Sequence, residues 1–292
     1  MNSKTNIRFI FFGTPERAVT TLDILKSHNL VPQLIVTAPD RPQGRGLTLQ
    51  SPLVKTWADE HTIPTLQPEK LDDIFRAEIE KQSWDVAVVV AYGKILPQWL
   101  LDLPVHGGIN VHYSLLPLYR GATPVETQIL EGAEIVGVTI MQMHQKLDYG
   151  PILTQLALPM PDPLPSNPEL TNILAHAGGE LLAETLPDWI EGKIEPQEQN
   201  HKKATFTRKF EKSEGQIDLR KNPEENFRKI KAFDPWPRAF TVFHRNGKSI
   251  RTVISTAHLE NNTLIIDKVI PAGKPEVDFQ DWSKSLDEYK DK

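Results

Sequence analysis

Two hydrophobic patterns alternate along the first two thirds of the chain. The runs Ile7 to Gly13 and Asp85 to Tyr92 are almost continuously apolar, as expected for parallel strands covered on both faces. Between them, Pro52 to His61 and Glu69 to Gln82 carry apolar residues at helical spacing. Ser51 is the predicted cap of the first of these helices, with Pro52 at its first position. Further strands are predicted at Gly108 to Ser114 and Val136 to His144, and a closing helix at Asn167 to Trp189. Strand and helix alternating in this way predict a doubly wound, mostly parallel sheet, which binds ligands outside the carboxyl ends of its strands.

The pattern changes after that helix. The stretch IEGKIEPQEQNHKKA is polar and has no apolar periodicity, so it reads as a linker. Beyond it, short alternating runs at Phe240 to Phe243, Ser249 to Thr256 and Thr263 to Val269 are separated by the turn pairs Asn246-Gly247 and Asn261-Asn262. Hairpins of this kind predict a small β-barrel. The expected organisation is a catalytic domain over residues 1–189, a linker over 190–206 and a barrel over 207–292. Trp236, set in DPWP, could stack on a base, but a Trp beside two prolines more often packs between domains, and that structural role is the expectation.

Composition narrows the class. The chain of 292 residues has 39% hydrophobic and 24% charged residues, and no apolar run approaches the roughly 18–20 residues of a membrane helix. The amino terminus, MNSKTNIRFIFFGTPE, lacks the length and cleavage pattern of a secretory signal. Cysteine is absent, which excludes disulfide and thiolate chemistry and suits a reducing cytoplasm. The nine histidines show no metal-ligand spacing, so no metal is expected. A cytoplasmic monomer, away from the membrane, is the expectation. The net charge of −5 disfavours nucleic acid only as an average. Residues 1–201 hold 14 basic against 24 acidic side chains, whereas His201 to Arg251 hold 14 against 6. A local excess of that size attracts a phosphate backbone, although a solvated charged surface is the plainer reading.

The candidate chemistry lies in Ile109 to Thr123, INVHYSLLPLYRGAT. On a strand, Asn110 and His112 share a face, one a neutral donor and the other a titratable acid or base. Acyl transfer to an amine needs that combination. Charge develops on the carbonyl oxygen, where one placed donor is worth about 2.7–4 kcal/mol, and the amine must lose a proton. Asp148, in MQMHQKLDYGPIL, is the expected carboxylate to support the His112 charge and fix its tautomer. An ordinary half-buried edge is the alternative for the Asn-x-His pair. The turn GTPERA lacks a GxGxxG fingerprint, and the GRG at Gly44 to Gly46 is too short for a phosphate loop.

The run NVHYSLLPLYRGATP, followed by GVTIMQMHQKLDYGPIL, resembles the signature of the folate-dependent formyltransferases. FFGTPERA, PDRPQGRGLTLQSPLVKTWADEHTIPTLQPEKL, KIKAFDPWPRAFT and VIPAGKPEVDFQDW extend the likeness from Arg8 to about Trp282, and most closely to the branch acting on methionyl initiator tRNA. The resemblance implies an α/β fold: a Rossmann-like doubly wound, mostly parallel sheet domain followed by a small oligonucleotide-binding-like β-barrel. It implies formyl transfer from 10-formyltetrahydrofolate to the α-amino group of the methionyl tRNA, with Asn110, His112 and Asp148 catalytic. Ser114, Leu115, Leu116 and Pro117, with Ala91, Tyr92 and Gly93, would line the folate pocket; Ser114 could equally be a turn hydroxyl. Arg45, Lys202, Lys203, Arg208 and Lys209 are the expected tRNA contacts. Five positions depart from the family pattern: Arg17 replaces an aromatic, Leu47-Thr48 replaces lysines, Leu118 replaces a basic residue and Tyr149 replaces a Thr. Formylation of a sugar-nucleotide amine is the alternative activity. Folate hydrolysis and RNA binding without turnover are remoter ones, the latter disfavoured by the intact Asn110, His112 and Asp148.

Overall fold

The computed structural model describes residues 7–43 and 48–287. The chain divides into two compact units, one of Met1–Gly121, Val136–Leu158 and Thr171–Phe206, the other of Ala122–Ile135, Pro159–Leu170 and Thr207–Lys292.

In the first unit, strand β1 (Phe9–Gly13) leads into helix α1 (Glu16–Ser27) and strand β2 (Leu34–Val36). A short ribbon, β3 (Arg41–Gln43) with β4 (Thr48–Gln50), precedes helix α2 (Leu53–Glu60) and strand β5 (Thr65–Leu66). Helix α3 (Asp73–Ile79), strand β6 (Val86–Val90), helix α4 (Gln98–Asp102) and strand β7 (Gly108–His112) follow. Helix α5 (Pro124–Glu131) belongs to the second unit, and strands β8 (Ile135–Gln142) and β9 (Ile152–Pro159) then complete a seven-stranded sheet in the order β5-β2-β1-β6-β7-β8-β9. Helix α6 (Asn167–Ile190) comes next. The pairs from β5 to β7 are parallel, while β7 and β8 are antiparallel. Every side chain of β1 and β6 is buried, which explains why these two strands read as unbroken apolar runs.

Helix ends depart from the expectations. Pro52 is itself the cap residue of α2 and no side chain caps that end, so Ser51 does not serve as predicted. Helix α3 is shorter than Glu69 to Gln82 because Asp72 caps it, accepting from the Phe75 N–H at 3.2 Å. Among the described residues, no helix is long and apolar enough to cross a membrane.

The second unit holds helix α7 (Pro223–Ala232), strands β10 (Phe240–Arg245), β11 (Lys248–Glu260), β12 (Thr263–Pro271) and β13 (Val277–Asp278), and helix α8 (Phe279–Ser283). The strands form an antiparallel sheet in sequence order. Its hairpins turn at the predicted residues: Asn246 and Gly247 have φ of 52° and 72°, Asn261 and Asn262 of 48° and 60°. Those left-handed pairs match the twist of the flanking strands. Register shifts between Ile254 and Ala257 bend the long β11. Its core gathers Ile217, Ile230, Phe243, Ile254, Val269 and Trp282. Trp236 is 55% exposed.

Candidate active site

Strand β7 carries Asn110 opposite Met141 and His112 opposite Thr139 of β8. The two side chains share a face by strand periodicity. Asn110 is half-buried, and its amide has no hydrogen-bond partner among the described residues. His112 is only 5% exposed. Its Nε2 donates to the Tyr119 carbonyl at 3.0 Å, and its Nδ1 faces Asp148 Oδ2 at 3.7 Å. The latter distance is an ion-pair separation and too long for a hydrogen bond. A neutral imidazole has one donor and one acceptor nitrogen. The Tyr119 carbonyl occupies Nε2 as donor, so Nδ1 is the nitrogen left for proton exchange.

Asp148 is buried and sits at φ 52°, a left-handed backbone that Asp tolerates better than most side chains. Its Oδ2 accepts from the Gly121 N–H at 2.7 Å. The short loop after β7 thus holds both partners, the imidazole through the Tyr119 carbonyl and the carboxylate through the Gly121 amide.

Upstream in that loop, Ser114 is fully buried and its hydroxyl donates to the Leu118 carbonyl at 2.7 Å. It serves as the turn hydroxyl considered from the sequence. Thr139 donates to the Ser114 carbonyl at 2.6 Å and accepts from the Leu116 N–H at 3.1 Å and from Gln155 at 2.8 Å. Gln155 also donates to the Leu116 carbonyl at 2.9 Å. Leu116 is buried, whereas Leu115 and Pro117 are half-buried.

The segment after β6 is unusual in its backbone: Ala91 and Gly93 have φ of 50° and 83°. Tyr92 packs edge-on against Phe12, with ring centroids 5.3 Å apart. Its hydroxyl is buried and has no hydrogen-bond partner among the described residues, as is true of Thr14 Oγ1 after β1 and Thr37 Oγ1 after β2. Burial pushes the Tyr92 phenol up to about 12, so it stays a neutral donor. Buried polar atoms are rarely left unpaired.

Four more residues join the site, none of them anticipated from the sequence. Arg120, 1% exposed, donates from Nε and Nη2 to Gln199 Oε1 at 3.1 and 2.5 Å, and its Nη2 lies 2.9 Å from His201 Nδ1. Burial lowers its pKa, opposed by Tyr149 and then Asp148. Gln199 donates to the Asp148 and Gly150 carbonyls at 3.0 and 2.6 Å. Tyr149 stacks on His201 with centroids 3.8 Å apart and planes 12° from parallel, and the Arg120 guanidinium lies 4.7 Å from its ring centroid. Gln199 and His201 fall inside the polar stretch read as a linker. That stretch is pinned to the first unit, since Gln197 exchanges two 2.8 Å backbone hydrogen bonds with Ile152.

The expected tRNA contacts differ among themselves. Arg45 lies outside the described residues. Lys202 and Lys203 are exposed on a short turn capped by Asn200. Arg208 is engaged in a two-pronged contact with Glu214 at 2.8 and 2.5 Å, and Lys209 is exposed. The second unit also carries a cleft of about 460 Å³ lined by Arg245, Lys248, Arg251 and Lys274, with no carboxylate in its lining. Among the described residues, no cluster of three His, Cys, Asp or Glu could hold a metal ion.

Comparison with known proteins agrees with this architecture. The family described as Formyl transferase matches residues 5–186, and its C-terminal domain matches residues 209–264. A methionyl-tRNA formyltransferase of Halalkalibacterium halodurans is 42% identical over 248 residues, 84% of this chain and 77% of that protein. The methionyl-tRNA formyltransferase structure from Clostridium thermocellum shares the fold with a TM-score of 0.61 at 15% identity, over 91% of this chain and 98% of that one. HypX from Aquifex aeolicus in complex with tetrahydrofolic acid has a TM-score of 0.64 at 14% identity, over 96% of this chain and 47% of that one. By sequence over most of its length and by fold, the chain belongs to the formyl transferase family.

Proposed function

We propose that the protein transfers the formyl group of 10-formyltetrahydrofolate to the α-amino group of methionine esterified to initiator tRNA, with Asn110, His112 and Asp148 as its catalytic residues. The observation that carries this reading is the placement of Asn110, whose amide has no partner among the described residues, on the same strand face as His112, whose Nδ1 is 3.7 Å from a buried carboxylate.

The folate supplies the formyl carbon as the electrophile. Its proposed pocket is formed by Ala91, Tyr92 and Gly93 with Ser114 to Pro117, the two segments that follow β6 and β7. Asn110 donates to the formyl oxygen as negative charge develops there. The attacking amine forms the new C–N bond and loses a proton to His112 Nδ1, and that proton is returned to the folate nitrogen as its bond to the formyl carbon breaks. Asp148 stands beside the resulting imidazolium, and the Gly121 N–H keeps the carboxylate in place. No covalent attachment to the protein is needed.

Residues 207–292 form the proposed tRNA-contacting domain, joined through 190–206 to the catalytic domain of residues 1–189. The cationic cleft of Arg245, Lys248, Arg251 and Lys274 supports a phosphate-bearing partner, as do the exposed Lys202, Lys203 and Lys209. The test compares acceptors at equal folate: methionyl-tRNA, an aminosugar nucleotide, free methionine and none. Product with methionyl-tRNA alone is expected. Formylated aminosugar, or formate release without acceptor, would reassign the acceptor while leaving the catalytic residues in place.

A further inference from the structure

We infer that Gln199 is a positioning residue for formyl transfer, holding the Asp148 turn to the loop that grips both catalytic partners; the inference rests on the catalytic reading of Asp148. Gln199 is 4% exposed and uses both ends of its amide. Oε1 accepts from Arg120 at 3.1 and 2.5 Å, while Nε2 donates to the Asp148 carbonyl at 3.0 Å and to the Gly150 carbonyl at 2.6 Å. The chemistry fixes this orientation, because a guanidinium only donates and a carbonyl only accepts.

The two sides joined by Gln199 are the two sides of the site. Arg120 lies between Tyr119, whose carbonyl holds His112, and Gly121, whose N–H holds Asp148. The strap carrying Gln199 continues to Thr205, which accepts from the Arg120 N–H at 2.9 Å through its carbonyl and from the Tyr119 N–H at 2.8 Å through its hydroxyl. On the other side, the Asp148 turn has little freedom of its own. Asp148 is left-handed, and a Cβ on Gly150 would lie 1.9 Å from the Gln142 carbonyl oxygen. Loss of the Gln199 amide takes the donor from two carbonyls of this turn and the shared acceptor from Arg120 Nε and Nη2 together. A misplacement of about 1 Å at a reacting group can cost a hundredfold in rate.

The test is a double-mutant cycle on the full-length protein, pairing Gln199→Met with Asp148→Asn and reading kcat and KM for formyl transfer to methionyl-tRNA. Alone, Gln199→Met is expected to lower kcat by about tenfold to a hundredfold with KM for the folate changed less than about threefold. In the Asp148→Asn background it should lower kcat by less than about threefold, because the group it positions is already gone. Gln199→Glu keeps the shape and the contact to Arg120 but loses the two donated hydrogen bonds. It should reproduce the kcat loss, and it covers the case in which the Met variant does not fold. An equal fold-loss in both backgrounds, or a kcat within about threefold of wild type for the folded Glu variant, overturns the inference. Wild-type kcat in Asp148→Asn alone would instead overturn the catalytic reading beneath it.

Discussion

Replacing Asn110 by Ala separates a catalytic amide from a structural one. The side chain is half-buried and hydrogen-bonds to no described residue. Its truncation therefore removes no native hydrogen bond and should change stability by less than about 0.5 kcal/mol. If the amide donates to the oxygen where charge develops, its loss costs about 2.7–4 kcal/mol of transition-state stabilisation. At about 1.36 kcal/mol per decade, that is a factor of roughly 10² to 10³ in kcat, with KM for both substrates near wild type. Rapid-quench transfer from 10-formyltetrahydrofolate to saturating methionyl-tRNA reads the rate, and a thermal melt of the same sample reads the fold. A kcat within about fivefold of wild type would refute the reasoning. So would a fall in kcat matched by a fall in melting temperature, because Asn110 would then be structural.

Other outcomes follow from individual interactions. Gly150→Ala places a Cβ 1.9 Å from the Gln142 carbonyl oxygen, a backbone clash that cannot be relieved by a rotamer change; a loss of several kcal/mol is expected, read as a lower urea midpoint. Asn246→Val forces a β-branched residue into φ 52° and should cost about 1–3 kcal/mol, whereas Asn246→Gly should be neutral or better. The Glu214 carboxyl is held down to about 2, first by its hydrogen bond from Arg208 and then by the Glu211 N–H. A depressed carboxylate stabilises above its ordinary value of 4.5 and loses that effect as pH falls towards 2. The melting-temperature gap between wild type and Glu214→Gln should therefore close across that window, and a gap independent of pH would show that the ion pair contributes nothing. Changing Lys202, Lys203 and Lys209 together to Ala should weaken tRNA binding and flatten its salt dependence by roughly 0.7–0.9 for each phosphate no longer neutralised. An unchanged slope places the phosphates elsewhere.

Much of the architecture was legible because it rests on local chemistry. Strands β1 and β6 are apolar throughout because both of their faces are buried, and the Asn-Gly and Asn-Asn pairs mark hairpins because those residues accept positive φ. Strand periodicity alone puts Asn110 and His112 on one face. The rest depended on long-range pairing, which leaves little trace in a linear pattern. Residues 190–206 are polar and aperiodic, hence linker-like, yet Gln199 is polar because its side chain serves the Asp148 and Gly150 carbonyls, and Gln197 pairs with Ile152 through its backbone, which any side chain would allow. Arg120 reads as part of a surface loop, and only the fold shows it buried between Gln199 and Tyr149. Tyr149, a departure from the family pattern, is accounted for by His201, on which it stacks. Helix α5 follows the site loop in sequence but packs against α7 in the second unit, a partner about a hundred residues away that no local signal could name. Ser51 failed as a cap because Pro52 took the cap position itself.

The most direct measurement of the central claim is a single-turnover reaction between the wild-type protein, 10-formyltetrahydrofolate labelled in its formyl carbon, and methionyl-tRNA, followed by hydrolysis of the aminoacyl ester and identification of the labelled product. The account predicts label in N-formylmethionine, stoichiometric with the tRNA consumed and strongly slowed by Asn110→Ala. Label remaining on the folate, or appearing only as free formate, would contradict it.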